Sequence, residues 1–123
     1  MTKRMQQLEW SVRALAQESA VQLELYPSFV AVADELALEF EEHYRALDLD
    51  LLRAPQREAV RALCDAFDEM SGPAHLELWQ TDALDRAEWK HIRELARTLI
   101  RVMGWSAAAP PVDRGAIYVG SDA

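Results

Sequence analysis

The spacing of apolar and polar positions predicts that the first half of the chain is helical. In the segment 3–17, apolar side chains recur every three or four residues, as on one face of a helix, with a break expected near Ser11. The segment 18–26 has room for a short helical turn at most. A second long helix is expected over 27–47, where the same spacing resumes after Pro27.

The second half of the chain carries clear signals for the start and the end of two more long helices. Pro55 is placed to open a third helix that runs to Met70, because proline is tolerated in the first helical turn. The same apolar spacing then predicts a fourth helix over 86–103. Gly104 is expected to end it, since glycine readily adopts the left-handed conformation that follows many helices.

These elements predict an all-α protein with a single compact domain of about four main helices. The domain is expected to span 1–109, and the remaining segment 110–123 is expected to form an extended or partly disordered tail. One short run within that tail, 116–119, is β-prone. We find no internal repeat and no sign of a second domain.

A helical wheel gives each long helix one apolar stripe, and the stripes together predict the core. Cys64 falls on the stripe of the third helix, so we interpret it as a small buried hydrophobic residue. The side chains expected to share one core are Phe29, Leu36, Phe40, Val60, Phe67, Trp89, Ile92 and Leu99.

The second helix also has an unusual outer side, on which a leucine stands among acids. Two interpretations are open for Leu38: the tail or the segment 23–27 covers it, or it is an exposed apolar anchor within a ring of carboxylates. The second layout is common on surfaces that bind a protein partner. The candidate partner-binding residues are therefore Asp34, Glu35, Leu38, Glu41 and Glu42.

The charge balance bears on the kind of partner. The formal net charge is −8, which repels nucleic acid and speeds association with a basic protein. The fourth helix concentrates cations on one side, at Lys90, Arg93, Arg97 and Arg101. We expect a solvated helix face there, with pairing to the acidic second helix, within the chain or across a dimer, as the alternative.

Cysteine content and hydropathy indicate a cytoplasmic protein. Cys64 is the single cysteine, so the chain has no internal disulfide, and a reducing compartment is expected. The N-terminal region lacks the apolar stretch of a secretory signal. No window approaches the roughly 18 apolar residues of a membrane span, so no membrane association is expected.

The sequence has few motifs that are typical of catalytic or metal-binding sites. Glu88 and His91 form one E-x-x-H step, and Glu39 lies one helical turn from His43, whereas metal sites in helical bundles need two such steps and two further glutamates. His91 is expected at the surface or half-buried. There is no nucleophile-elbow serine and no glycine-rich phosphate loop. We therefore expect a non-catalytic protein without metal or cofactor.

One enzymatic alternative stays open. Two carboxylate pairs, Glu39 with Glu42 and Asp65 with Asp68, could hold magnesium against a nucleoside triphosphate. This layout resembles that of the all-α NTP pyrophosphatases of the MazG type, with Asp65 in place of a glutamate. The basic residues that would bind the phosphates cannot be identified in the sequence.

Two stretches, "EWSVRALA" at 9–16 and "VQLELYPSFVAVADELALEFEEHY" at 21–44, carry a second resemblance. They are similar to small helical proteobacterial proteins that include immunity proteins of contact-dependent inhibition and related polymorphic-toxin systems. The resemblance covers about the first third of the chain, and "RVMGW" at 101–105 shows a weaker similarity. It implies a protein that binds and neutralises a cognate toxin domain, and it implies no catalytic residues. A homodimeric helical adaptor is the remaining alternative.

Overall fold

Helices make up most of the computed structural model, which describes residues 2–112. The α-helices are α1 (Lys3–Leu15), α2 (Ser19–Glu24), α3 (Val32–Arg45), α4 (Ala54–Glu69) and α5 (Ala87–Met103). Short 3-10 helices span Leu49–Leu51, Pro73–Trp79 and Thr81–Asp85. No strand occurs between residues 2 and 112. The predicted all-α domain with four main helices is confirmed, while residues 113–123, including the β-prone run 116–119, lie outside the described residues.

Local signals set the ends of the last two long helices. Pro55 lies in the first turn of α4, as expected. Gly104 follows α5 with a φ of 75°, the left-handed conformation in which a side chain would be strained. The expected break in α1 is wrong, because the helix runs without interruption through the buried Ser11.

The start of α3 differs from the prediction. Residues 27–31 form a turn in which the amide of Val30 donates to the carbonyl oxygen of Pro27 at 3.2 Å, and the helix begins only at Val32. The helical wheel therefore does not extend back to Phe29. Its ring is 85% exposed, so its assignment to the core is wrong. The other seven predicted core residues are buried.

The long helices pack so that α1 and α5 occupy the middle of the domain. Helix α5 contacts both α1 and α4 extensively, and α1 contacts α3, whereas α3 and α4 touch each other much less. Helix α1 is consequently buried on several sides, including Leu8, Trp10 and Ala14. Helix α3 lies at the edge, with one face on α1 and the opposite face in solvent.

An aromatic cluster joins α3, α4 and α5 to the 3-10 helix Pro73–Trp79. The ring of Phe67 lies 5.8 Å from the rings of both Phe40 and Trp89, measured between centroids. The indole of Trp89 donates a 2.7 Å hydrogen bond to the carbonyl oxygen of Leu78, and that of Trp79 donates to Met70 at 3.0 Å. These bonds satisfy the polar edges of large apolar side chains and fix the 3-10 helix to the core.

The basic side of α5 is exposed at Lys90, Arg97 and Arg101, as its sequence predicts, but not at Arg93. Arg93 is buried: its Nε donates to the carbonyl oxygen of Gln17 at 2.6 Å and its Nη2 to that of Leu84 at 3.4 Å. Arg97 donates to the carbonyl oxygen of Ala16 at 3.2 Å. The cations thus neutralise the C-terminal end of α1, where helical carbonyls lack partners and the helix dipole is negative.

In the part of the chain that the structure describes, the ion pairs of Arg93 and Arg97 do not involve the acidic side of α3, which was the alternative for the basic side of α5. Glu18, just after α1, lies 3.7 Å from Arg93 and 3.1 Å from Arg97. Within the described chain, these two arginines therefore pair with the connection between α1 and α2, and not with the acidic side of α3 as the alternative had it. Their role here is structural.

Replacing Arg93 by Met should destabilise the fold by about 1–3 kcal/mol, because the buried carbonyl oxygens of Gln17 and Leu84 would lose a charged donor. Methionine keeps most of the apolar stem, so packing changes little. Arg101→Met on the exposed side of α5 is the matched control, with an expected change within about 0.5 kcal/mol. Urea denaturation measures both, and equal midpoints would show that Arg93 does not stabilise the end of α1.

The chain after α5 runs back along α1. Pro110 is buried, which places this segment against the domain as far as the described residues extend. Side chains of α1 and of the residue after its C-cap donate to main-chain oxygens of the segment: Trp10 to Pro111 at 2.7 Å, Arg13 to Ala108 at 3.1 Å and Ala109 at 3.2 Å, and Gln17 to Ala107 at 3.2 Å.

Candidate partner-binding surface

The five candidate residues lie together on the outer side of α3, which we call the acidic face: Asp34, Glu35, Leu38, Glu41 and Glu42. Asp34, Leu38 and Glu42 are exposed, and the two remaining glutamates are partly exposed. Leu38 is 58% exposed. Among the described residues 2–112, the segment 23–27 does not cover Leu38, whose exposure agrees with the second interpretation. The tail beyond residue 112 lies outside the described residues.

The position of α3 at the edge of the domain explains this exposure. Its inner side buries Val32, Leu36 and Phe40, and at 100° per residue Leu38 projects to the opposite side. A single exposed leucine is ordinary on a protein surface. What distinguishes Leu38 is its position at the centre of a helix face whose other predicted members are all carboxylates.

Arg45 interrupts the negative charge of the acidic face at its C-terminal end. Its Nη2 lies 2.7 Å from Oε1 of Glu41, and its side chain is 67% exposed. A hydrogen bond with Tyr44 and the charge of Glu41 together raise the pKa of Arg45. Sequence reasoning missed this pair, although the i,i+4 spacing of Glu41 and Arg45 is the usual signal for it.

A pocket of about 110 Å³ borders the acidic face on the side of Glu41, between α3, α4 and the 3-10 helix Pro73–Trp79. We call it the aromatic pocket. Four rings and two carboxylates form most of its lining: Phe40, Tyr44, Phe67, Trp79, Glu41 and Asp68. Helical spacing places Glu41 on the acidic face, and the pocket and the face therefore share this carboxylate.

A wider cleft of about 550 Å³ borders the acidic face on the side of Glu35. Its lining combines apolar side chains such as Val30 and Val112 with three glutamates, of which Glu39 accepts a hydrogen bond from the Tyr26 hydroxyl at 2.9 Å. Helix α3 therefore forms a ridge between two recesses, and Leu38 lies on the ridge.

Cys64 is half-buried rather than fully buried, which corrects the sequence interpretation. It lines the aromatic pocket and a third recess on the other side of Tyr44. Burial raises the pKa of the Cys64 thiol, and a hydrogen bond with Tyr44 acts in the opposite direction. The net effect disfavours the thiolate, the form in which cysteine acts as a nucleophile or metal ligand.

The carboxylates of the pyrophosphatase alternative do not form a common site. Glu39 is engaged by Tyr26, while Glu42, Asp65 and Asp68 are exposed. Among residues 2–112, no three histidine, cysteine, aspartate or glutamate side chains are placed to hold a metal ion together. His91, the histidine of the E-x-x-H step, is exposed.

Between residues 2 and 112, no helix combines the length and the apolar character that crossing a bilayer requires. The acidic face, its two flanking recesses and the charge balance of the chain are therefore the features from which a function can be inferred. No protein-family model, curated protein or solved structure matches this chain.

Proposed function

We propose that this chain is a non-catalytic binding protein that acts in the cytoplasm as an immunity protein. In this proposal the acidic face of α3 docks on a basic toxin domain and neutralises it. The resemblance of the stretches 9–16 and 21–44 to immunity proteins suggests the class of partner. The net charge of −8 suggests that the partner is basic.

The observation that carries the proposal is the exposure of Leu38, 58%, within its ring of carboxylates. Charges at the rim of an interface steer association, while a central apolar side chain slows dissociation once water has been excluded around it. Many toxin domains that attack nucleic acids have basic clefts that bind phosphates. A ridge of carboxylates can imitate a phosphate backbone in such a cleft, and Leu38 would supply the apolar contact.

The two alternatives have less support. Magnesium-dependent pyrophosphatase activity requires convergent carboxylates, and the pairs on α3 and α4 do not converge. A symmetric homodimer through the acidic face would place like charges opposite each other, because a twofold interface uses the same patch on both subunits. Self-association through this face is therefore disfavoured.

Reversing charge on the acidic face should slow association with a basic partner. We expect the double variant Glu35→Lys with Glu42→Lys to associate roughly tenfold more slowly at low salt, with a smaller difference at physiological ionic strength. Its melting temperature should stay unchanged or rise, since like charges on one helix repel. Surface plasmon resonance against the protein encoded immediately upstream of this chain's gene gives the rate constants.

The matched control carries the same change of net charge on other helices. Glu58→Lys with Glu94→Lys alters exposed residues of α4 and α5. This control should slow association much less than the α3 variant does. If both variants slow association equally, only net charge matters and the acidic face is not the docking surface. Absence of binding by the wild-type protein would contradict the proposed toxin partner.

A further inference from the structure

We infer that the aromatic pocket is a binding site for a cationic side chain, arginine or lysine, presented by the basic partner. The inference deepens the proposed function, on which the identity of the occupant rests. The pocket opens beside the acidic face and shares Glu41 with it. A basic partner docked across α3 therefore meets an acidic recess at the edge of the contact.

The walls of the pocket suit a cation because they are aromatic and held in place. Phe40 stacks on Tyr44 with ring centroids 5.5 Å apart, and Phe67 stacks on Trp79 at 6.3 Å. The hydrogen bond from the indole of Trp79 to Met70 further fixes that ring. Aromatic faces attract ammonium and guanidinium groups, and fixed rings bind with less loss of conformational freedom.

Two carboxylates supply the countercharge. Glu41 comes from α3 and Asp68 from α4, so a cation in the pocket is held from two elements of the fold. Arginine binds carboxylates through paired hydrogen bonds and also stacks on aromatic rings. The lining thus combines both modes of guanidinium recognition.

The chain itself shows that a guanidinium fits the rim of this pocket. Arg45 lines the pocket and contacts Glu41 at 2.7 Å. Because its side chain is 67% exposed, water and salt compete for this contact and an incoming cation can replace it. Arg45 therefore acts as an internal competitor for Glu41.

The first test uses a small cation and needs no partner protein. n-Butylguanidinium is titrated into the full ¹⁵N-labelled protein, with n-butylurea as the neutral control of similar shape. The Trp79 indole signal, identified by its loss in Trp79→Phe, should shift saturably with n-butylguanidinium and not with n-butylurea. Equal shifts with both compounds, or no saturable shift with the cation, would overturn the inference.

Variants of two neighbouring acids locate the site. Asp68→Asn should weaken binding of n-butylguanidinium roughly threefold, the size expected for one exposed ion pair. Asp65→Asn, which changes an exposed acid one turn away that does not line the pocket, should leave the affinity unchanged. Equal effects of the two variants would mean that general surface charge, not the pocket, attracts the probe.

Removing Arg45, the internal competitor, should raise the affinity for n-butylguanidinium, whereas Asp68→Asn should lower it. Arg45→Ala should tighten binding of n-butylguanidinium about threefold, because Glu41 is then free to pair with the probe. Unchanged or weaker binding would contradict a site that includes Glu41.

Failure of this inference is distinguishable from failure of the proposed function. If the probe binds while the upstream gene product does not, the pocket is a cation-binding site and the proposed toxin partner is wrong. If the partner binds with the same affinity to wild type and to Asp68→Asn, the proposed partner is retained and the pocket does not accept its side chain.

Discussion

Phe40→Ala is expected to lower the free energy of unfolding by about 3–5 kcal/mol, the range measured for phenylalanine removed from a packed core. The side chain is buried and lies between the rings of Tyr44 and Phe67, at 5.5 and 5.8 Å. Its removal leaves a cavity where α3 meets the aromatic cluster, and rigid neighbours cannot close it fully. Urea denaturation followed by far-UV circular dichroism measures the loss.

Phe29→Ala is the matched control, since it makes the same chemical change three residues before α3 begins. The ring of Phe29 is 85% exposed, so its removal should change stability by no more than about 0.5 kcal/mol. A loss comparable to that of Phe40→Ala would mean that residues 27–31 pack into the core as the sequence pattern first indicated.

Leu38→Ala should weaken the complex with a basic partner by about 2 kcal/mol or more, roughly thirtyfold in Kd, if Leu38 is the central anchor of the interface. The effect should appear mainly as faster dissociation, because loss of a buried contact does not change the charges that steer association. Stability of the free protein should hardly change, since Leu38 is 58% exposed and alanine favours a helix.

Leu51→Ala serves as the control for Leu38→Ala. Leu51 is 70% exposed and belongs to the 3-10 helix Leu49–Leu51, outside the acidic face. Its truncation should leave dissociation unchanged. If Leu38→Ala unfolds the protein as readily as Phe40→Ala does, Leu38 is a core residue and the proposed docking surface is wrong.

Features of the fold that depend on local chemistry could be predicted from the sequence. Pro55 and Gly104 mark helix ends because their backbone restrictions act within a few residues. Helical periodicity placed four of the five acids of α3 on one side with Leu38, because that arrangement needs only the helix itself. Seven of the eight predicted core residues are buried for the same reason.

Features that depend on distant segments could not be predicted in this way. Arg93 is buried because α5 lies against the end of α1, a contact that no property of α5 alone indicates. The start of α3 was misplaced since no side chain caps this helix at Ala31. The aromatic pocket joins Glu41, Asp68 and Trp79 from three separate elements, so no local spacing predicts it.

We propose that the acidic face of α3 is the surface that contacts a protein partner. Cross-saturation NMR tests it most directly: an unlabelled partner, the upstream gene product, is irradiated, and the amides of this ¹⁵N,²H-labelled chain that lose intensity are those at the interface. We predict losses centred on Leu38, with Asp34 and Glu42 also affected. Losses centred on another helix, with α3 unaffected, would contradict the claim.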